Sequence, residues 1–164
     1  MDTLKLISKV KYIVEQANIL KDKHADKKNA KVNYACIFSQ STDEYENLLT
    51  ITKQIGNIIK ETPTGPLFHI KPIETAAGNL QLLKIRLPDS TRPELGDADF
   101  TVENFSDFEN TNLQKTGFKI IKKENFYMIE LMDPNFNVRA YFSNPPLDVQ
   151  LGITKSHDHL FHNR

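Results

Sequence analysis

The 164-residue chain is poor in the features that mark a common function class. Its single cysteine, Cys36, cannot close an intramolecular disulfide, so no covalent staple is available within one chain. A net charge is missing as well: 21 basic side chains stand against 21 acidic ones. That balance removes the broad attraction on which non-specific nucleic-acid or anionic-membrane binding depends. No apolar run approaches the ~18 residues of a membrane span, and no basic-apolar-small leader is present. The expectation is a cytoplasmic protein with neither a nucleic-acid nor a membrane partner. Gly-x-Gly-x-x-Gly, the Walker loop, His-Glu-x-x-His and Cys-x-x-Cys are also absent, so no cofactor is expected.

What is present reads as an ordinary globular chain, 39% hydrophobic and 26% charged, long enough for one core or two small fused modules. Residues 1–32 hold eight lysines and four acids, and Leu6, Val10, Ile13, Ala17 and Leu20 recur at spacings of four, three, four and three. That period predicts an amphipathic helix whose stripe covers the body of the protein or the same helix in a second copy, which would make a homodimer. Lys21 to Lys31 has no apolar period and reads as a solvated connector.

From Val32 the pattern shortens. Tyr34 to Phe38 is a compact apolar run suited to a buried strand. Ser41 and Glu44 have capping-box spacing at the start of a helix, and Gly56 is placed to end that helix in a left-handed cap. Ile58 to Lys60, Leu67 to Ile73 and Leu80 to Leu87 follow as strands, with the turn formers Thr62 to Pro66 between the first two. Two prolines and a glycine over residues 88–96 then mark an internal boundary. Beyond it the order repeats: a strand at Asp97 to Val102, a short helix at Asn104 to Gln114, Gly117, and strands at Phe118 to Lys122, Phe126 to Met132 and Val138 to Phe142. Gly56-Asn-Ile-Ile-Lys60 in the first half matches Gly117-Phe-Lys-Ile-Ile-Lys122 in the second, with one residue inserted.

The chain therefore divides into a helix and connector (1–32), a βαβββ module (33–87), a linker (88–96), a second βαβββ module (97–142) and a tail (143–164). This paired plan, with a glycine between the helix and the second strand and a late Asp133-Pro-Asn135 turn, resembles the vicinal oxygen chelate superfamily, the glyoxalase and extradiol dioxygenase fold. The resemblance implies an α+β protein in which two fused modules form a cupped mixed β-sheet, here with an added N-terminal amphipathic helix. It also implies that metal-dependent members place His or Glu on the first and last strands of each module. Here those strands offer Tyr34, Ala35 and Cys36, then Lys84 and Arg86, then Asp97 and Asp99, then Arg139 and Tyr141. Cationic Lys and Arg cannot coordinate a metal, so no metal site is expected and metal-free binding members are the nearer comparison.

Strand alternation sorts the remaining candidates onto one face: His69, Lys71, Lys84, Arg86, Asp97, Asp99, Glu130, Arg139 and Tyr141. An open sheet leaves such a face wet. A cupped sheet makes it a pocket in which Lys71, Lys84, Arg86, Asp97, Asp99, Arg139 and Tyr141 bind a small anionic molecule, the arginines by bidentate hydrogen bonds. His69, whose free imidazole titrates near pH ~6.5, and Glu130 are the candidate catalytic pair for metal-independent isomerase or lyase chemistry. Two other classes stay open. One is a non-catalytic interaction protein that dimerises through its first helix. The other is a divalent-metal enzyme using Glu130, Asp97 or Asp99 with His69. Cys36 reads as a buried, inert thiol, and His157, His159 and His162 as a frayed tail without zinc-site spacing.

Overall fold

A computed structural model describes residues 1–153; the three tail histidines lie outside them. The first helix, α1 (Thr3–His24), starts at Asp2, whose carboxylate accepts the Lys5 amide at 2.9 Å. Its stripe of Leu6, Val10, Ile13, Val14, Ala17 and Leu20 is at most 1% exposed. Each leucine, valine and isoleucine of the stripe contributes about 1.5–3 kcal/mol when fully buried. The stripe covers the protein's own sheet, and the outward side carries Leu4, Tyr12 and Ile19.

Where the sequence suggests a solvated connector, the structure buries Lys21 completely. Its ammonium donates to Asp22 at 2.7 Å and to the Lys27 carbonyl at 2.6 Å, and lies 5.3 Å from the Phe100 ring centroid. A lysine can enter a core when its charge is met in this way, and here it ties the helix end to the chain that follows. One turn on, Lys23 and His24 both reach Asp133 Oδ2, at 3.0 and 2.8 Å. The Asn135 amide first, then His24 and Lys23, hold the Asp133 carboxyl well below the usual range.

The rest of the chain is the expected pair of βαβββ modules. The first comprises β1 (Lys31–Phe38), α2 (Thr42–Thr52), β2 (Gly56–Lys60), β3 (Leu67–Thr75) and β4 (Gly78–Arg86). The second comprises β5 (Gly96–Thr101), α3 (Phe105–Asn112), β6 (Phe118–Lys122), β7 (Tyr127–Leu131) and β8 (Arg139–Asn144), and a short α4 (Leu147–Gln150) follows. All eight strands form one open mixed sheet in the order β2-β3-β4-β1-β5-β8-β7-β6. Each module pairs its first strand parallel to its last, and antiparallel pairing of β1 with β5 joins the halves about a pseudo-twofold. Among the described residues, no helix is long and apolar enough to cross a membrane.

Alternation sends Ala35, Ile37, Leu83, Ile85, Ala98, Phe100, Ala140 and Phe142 into the same core as the α1 stripe. The residues between them face the side that α1 does not cover. The two repeated glycines, Gly56 at the first residue of β2 and Gly117 just before β6, are needed for different reasons. Gly117 has φ +95°, a conformation that side chains resist. Gly56 is not the left-handed cap the sequence suggested; a Cβ there would lie 2.3 Å from the His69 carbonyl oxygen, so β2 could not close on β3. The capping box is likewise shifted. Ser41 Oγ accepts the Glu44 amide as expected, but Glu44 takes the Gln40 amide, one residue before the cap.

Candidate functional site

The pairing register lays four candidate positions in one row across the centre of the sheet. Lys84 is opposite Cys36, Cys36 opposite Asp97, and Asp97 opposite Arg139. A second row holds Tyr34, Asp99, Tyr141 and Glu130. These side chains are enclosed although no long helix covers them: Asp99 is 0%, Tyr141 3% and Asp97 6% exposed.

Two loops account for the enclosure. Nine residues, 87 to 95, connect β4 to β5, although those strands are separated only by β1 and so lie about 10 Å apart. The surplus chain is pinned by Pro88 and Pro93 and by an Asp89 turn that accepts the Thr91 amide and hydroxyl. It folds across the face, where Arg92 lies over the Phe38 ring at 5.3 Å and donates to the Tyr141 hydroxyl at 3.0 Å. Gln40 fastens the strap by donating to the carbonyls of Arg92 and Glu94. On the other side, the Thr62 to Pro66 turn packs on β4. Gly65, with φ +135°, permits this, because a Cβ would lie 2.0 Å from the Ile85 carbonyl oxygen. That contact delivers the Thr64 hydroxyl to the Lys84 ammonium at 2.6 Å.

The charges in this space are unequally satisfied. Each nitrogen of Arg139 has a partner: Nε donates to Glu94 at 3.0 Å, Nη1 to Glu130 at 3.3 Å and Nη2 to the Thr91 carbonyl at 2.8 Å. Tyr141 donates to the same Glu130 oxygen at 2.6 Å, and burial, with Asp97 nearby, pushes its phenol well above the usual value. Lys84, by contrast, meets only the Thr64 hydroxyl, and among the described residues no carboxylate comes within 4.0 Å of it. Burial lowers its pKa. Arg86 reaches Asp89 at 3.4 Å, while its buried Nε has no partner among the described residues. Burial raises both Asp97 and Asp99 to about 7. Ser143 donates to one oxygen of Asp99, and Oδ1 of each aspartate is unpartnered among the described residues. Burial, then Asp97, pushes the Cys36 thiol up, which suits an inert side chain rather than a nucleophile.

The structure does not bring the two candidate catalytic residues together. His69 on β3 and Glu130 on β7 are five strand positions apart, about 24 Å along the sheet. His69 instead lines a cleft of about 920 Å³ between β1, β4, the connector after α1 and α4, together with Leu82, Asn33, Thr101 and Val149. Lys71 follows an irregularity in the pairing of β3 with β4, is exposed, and lies off the charged rows. Lys84, Arg86, Asp97, Asp99, Glu130, Arg139 and Tyr141 do share one enclosed face.

The strands on which the resemblance implies metal ligands present Tyr34, Cys36, Lys84, Arg86, Asp97, Asp99, Arg139 and Tyr141 to this face, and an ammonium and two guanidiniums among them cannot coordinate a divalent ion. Among the described residues, no group of three or more His, Cys, Asp or Glu is arranged to hold one. The donor set does not fit a metal.

Sequence reasoning missed Thr64, Arg92, Glu94 and Ser143. The signal for Arg92 and Glu94 was a connector much longer than its span, carrying opposite charges around two prolines. Ser143 follows Arg139 and Tyr141 at the same period of two and required only that the last strand extend two residues further.

No family model matches the sequence, and no curated protein does. Solved structures do. One titled "Structural Genomics, Protein EC4020" superposes with a TM-score of 0.67 at 12% identity, covering 87% of this chain and 88% of that one. A glyoxalase/bleomycin resistance protein/dioxygenase superfamily member from Vibrio splendidus 12B01 gives 0.42 at 5% identity, covering 70% and 97%. A 4-hydroxymandelate synthase mutant from Streptomyces coelicolor gives 0.36 at 10% identity, covering 71% and 48%. The first shares the fold alone, and the other two scores are too low for comparison residue by residue.

Proposed function

We propose that this chain, which has the paired βαβββ fold of the vicinal oxygen chelate superfamily, binds a small anionic molecule against Lys84 and Arg86 on the face opposite α1. The observation that supports this is the contrast between two cations in the same row of the sheet, each on the last strand of its module. Arg139 is held by two carboxylates, Glu94 and Glu130, and by the Thr91 carbonyl, whereas Lys84 has only a neutral hydroxyl. A half-buried ammonium without an acid partner is unfavourable unless a ligand anion supplies one. Arg86, one position further along the same face of β4, adds a guanidinium with an unused buried donor.

Binding is favoured over catalysis because His69 lies in the outer cleft, across the sheet from Glu130. Calorimetric titration of the full chain with inorganic phosphate and a panel of small carboxylates tests this reading. At least one should bind, with the affinity falling roughly tenfold or more in Lys84→Met and in Arg86→Ala. Equal affinity in both folded variants, or no binding by any member of the panel, rejects it.

A further inference from the structure

We propose that the molecule bound here is a small zwitterion, whose anionic group pairs with Lys84 and Arg86 and whose protonated amine pairs with the carboxylates of Asp97 and Asp99. This deepens the anion-binding reading and rests on it. The inference comes from what remains after the internal pairs are removed. Arg139 is matched by Glu94 and Glu130, Arg92 by Asp89 at 4.0 Å together with the Tyr141 hydroxyl, and Asp89 draws on Arg86 through one nitrogen only. What is left unmatched is cationic on β4 and anionic on β5.

Of the five buried side-chain atoms without a hydrogen-bond partner among the described residues, three belong to this face: Arg86 Nε, Asp97 Oδ1 and Asp99 Oδ1. Buried polar atoms in folded proteins are nearly always bonded, so three orphans of complementary kind on one face describe a ligand with both an acceptor and a donor. A simple dianion would meet Asp97 as a repulsive neighbour, and a simple amine would meet Lys84 in the same way. A molecule with both groups satisfies each side.

The spacing agrees. Lys84 and Asp97 stand in the same row on strands separated only by β1, so their backbones lie about 10 Å apart. The residue between them is Cys36, whose side chain is shorter than those of Lys84 and Asp97 on either side. A few bonds between anion and amine bridge the distance left once the Lys84 and Asp97 side chains extend toward each other. Asp99, next on the same face of β5, offers its second oxygen while Ser143 holds the first.

The test uses matched pairs that differ only by the amine: L-glutamate with glutarate, L-aspartate with succinate and L-alanine with propionate, each titrated into the full chain. In the pair that binds, the amino-bearing member should bind about tenfold or more tightly, as a charge-assisted contact requires. Asp97→Asn should erase that preference while leaving the amine-free acid's affinity unchanged or improved. Asp99→Asn, which keeps a partner for Ser143, is the second variant. Equal affinity for both members, with Lys84→Met still abolishing binding, overturns the zwitterion and leaves the anion site standing. No binding by any of the six overturns the zwitterion, and the anion site then stands or falls with the phosphate titration. An amine preference that survives in both aspartate variants also overturns the assignment.

Discussion

Each module carries a cation on its last strand in the same row of the sheet, and the two are satisfied very differently. Lys84 on β4 and Arg139 on β8 each pair with the first strand of their own half, opposite Cys36 and Asp97 respectively. Arg139 is 7% exposed and bound by two carboxylates and a carbonyl, whereas Lys84 has one hydroxyl. In the second half the cation clamps the strap to the sheet through Glu94 and the Thr91 carbonyl; in the first half it meets one hydroxyl.

The comparison is broken most severely by making the same substitution at both points. Arg139→Met should cost about 3–5 kcal/mol, because Glu130 and Glu94 lose their shared partner inside the protein. Urea unfolding reads the loss directly. A cost below ~1 kcal/mol would place Arg139 among weak surface pairs and remove the asymmetry.

Next in size is the acidic side of the same row. Burial raises Asp97 and Asp99 from 3.8 to about 7, so the folded state holds protons that the unfolded state has already released. Stability consequently falls as pH rises from about 4 to 7 and stays low above it, by up to ~4 kcal/mol for a single carboxyl. Asp97→Asn should flatten that slope, gaining most at pH 8 and nothing at pH 4, as read from unfolding midpoints across the range. Asp133 acts in the reverse sense: its depressed pKa contributes stability that is lost only as pH falls below the ordinary carboxylate range.

The repeated elements and the face on which the charges lie were legible because both follow from local periodicity. Alternation alone puts Lys84, Arg86, Asp97, Asp99, Arg139 and Tyr141 on one side, and the structure keeps them there. What was not legible depends on the path of irregular chain. Nothing local says that residues 87–95 fold back to bring Arg92 and Glu94 over Phe38, or that Lys21 finds Asp22, the Lys27 carbonyl and Phe100 in the interior. His69 and Glu130 illustrate the same limit in reverse. They share a face by parity, but face membership contains no distance, and the strand order separates them by most of the sheet.

The paired glycines sharpen the comparison at a smaller scale. Gly56→Ala should cost about 1–3 kcal/mol, as overpacking does, since its Cβ would press on the backbone at His69 and Ile70. Gly56→Asn should be no better than Gly56→Ala, because the penalty comes from the Cβ itself and not from a left-handed backbone. A clearly milder Asn variant would restore the left-handed cap that the sequence suggested.

The smallest expected effect is the most informative about function. Lys84→Met removes an ammonium that burial already disfavours and that no carboxylate supports, and methionine fills much of the same space. Replacing an unsupported buried charge with an apolar side chain is commonly neutral or stabilising, so the unfolding free energy should stay within ~1 kcal/mol of the parent protein or rise. Its other consequence is the orphaned Thr64 hydroxyl, which keeps the Thr62 oxygen as a neighbour at 3.3 Å. That outcome would be the one expected of a cation held for a ligand rather than for the fold. If Lys84→Met instead destabilised the protein as much as Arg139→Met, the two halves would be equivalent and the first would have no cation to spare for a ligand.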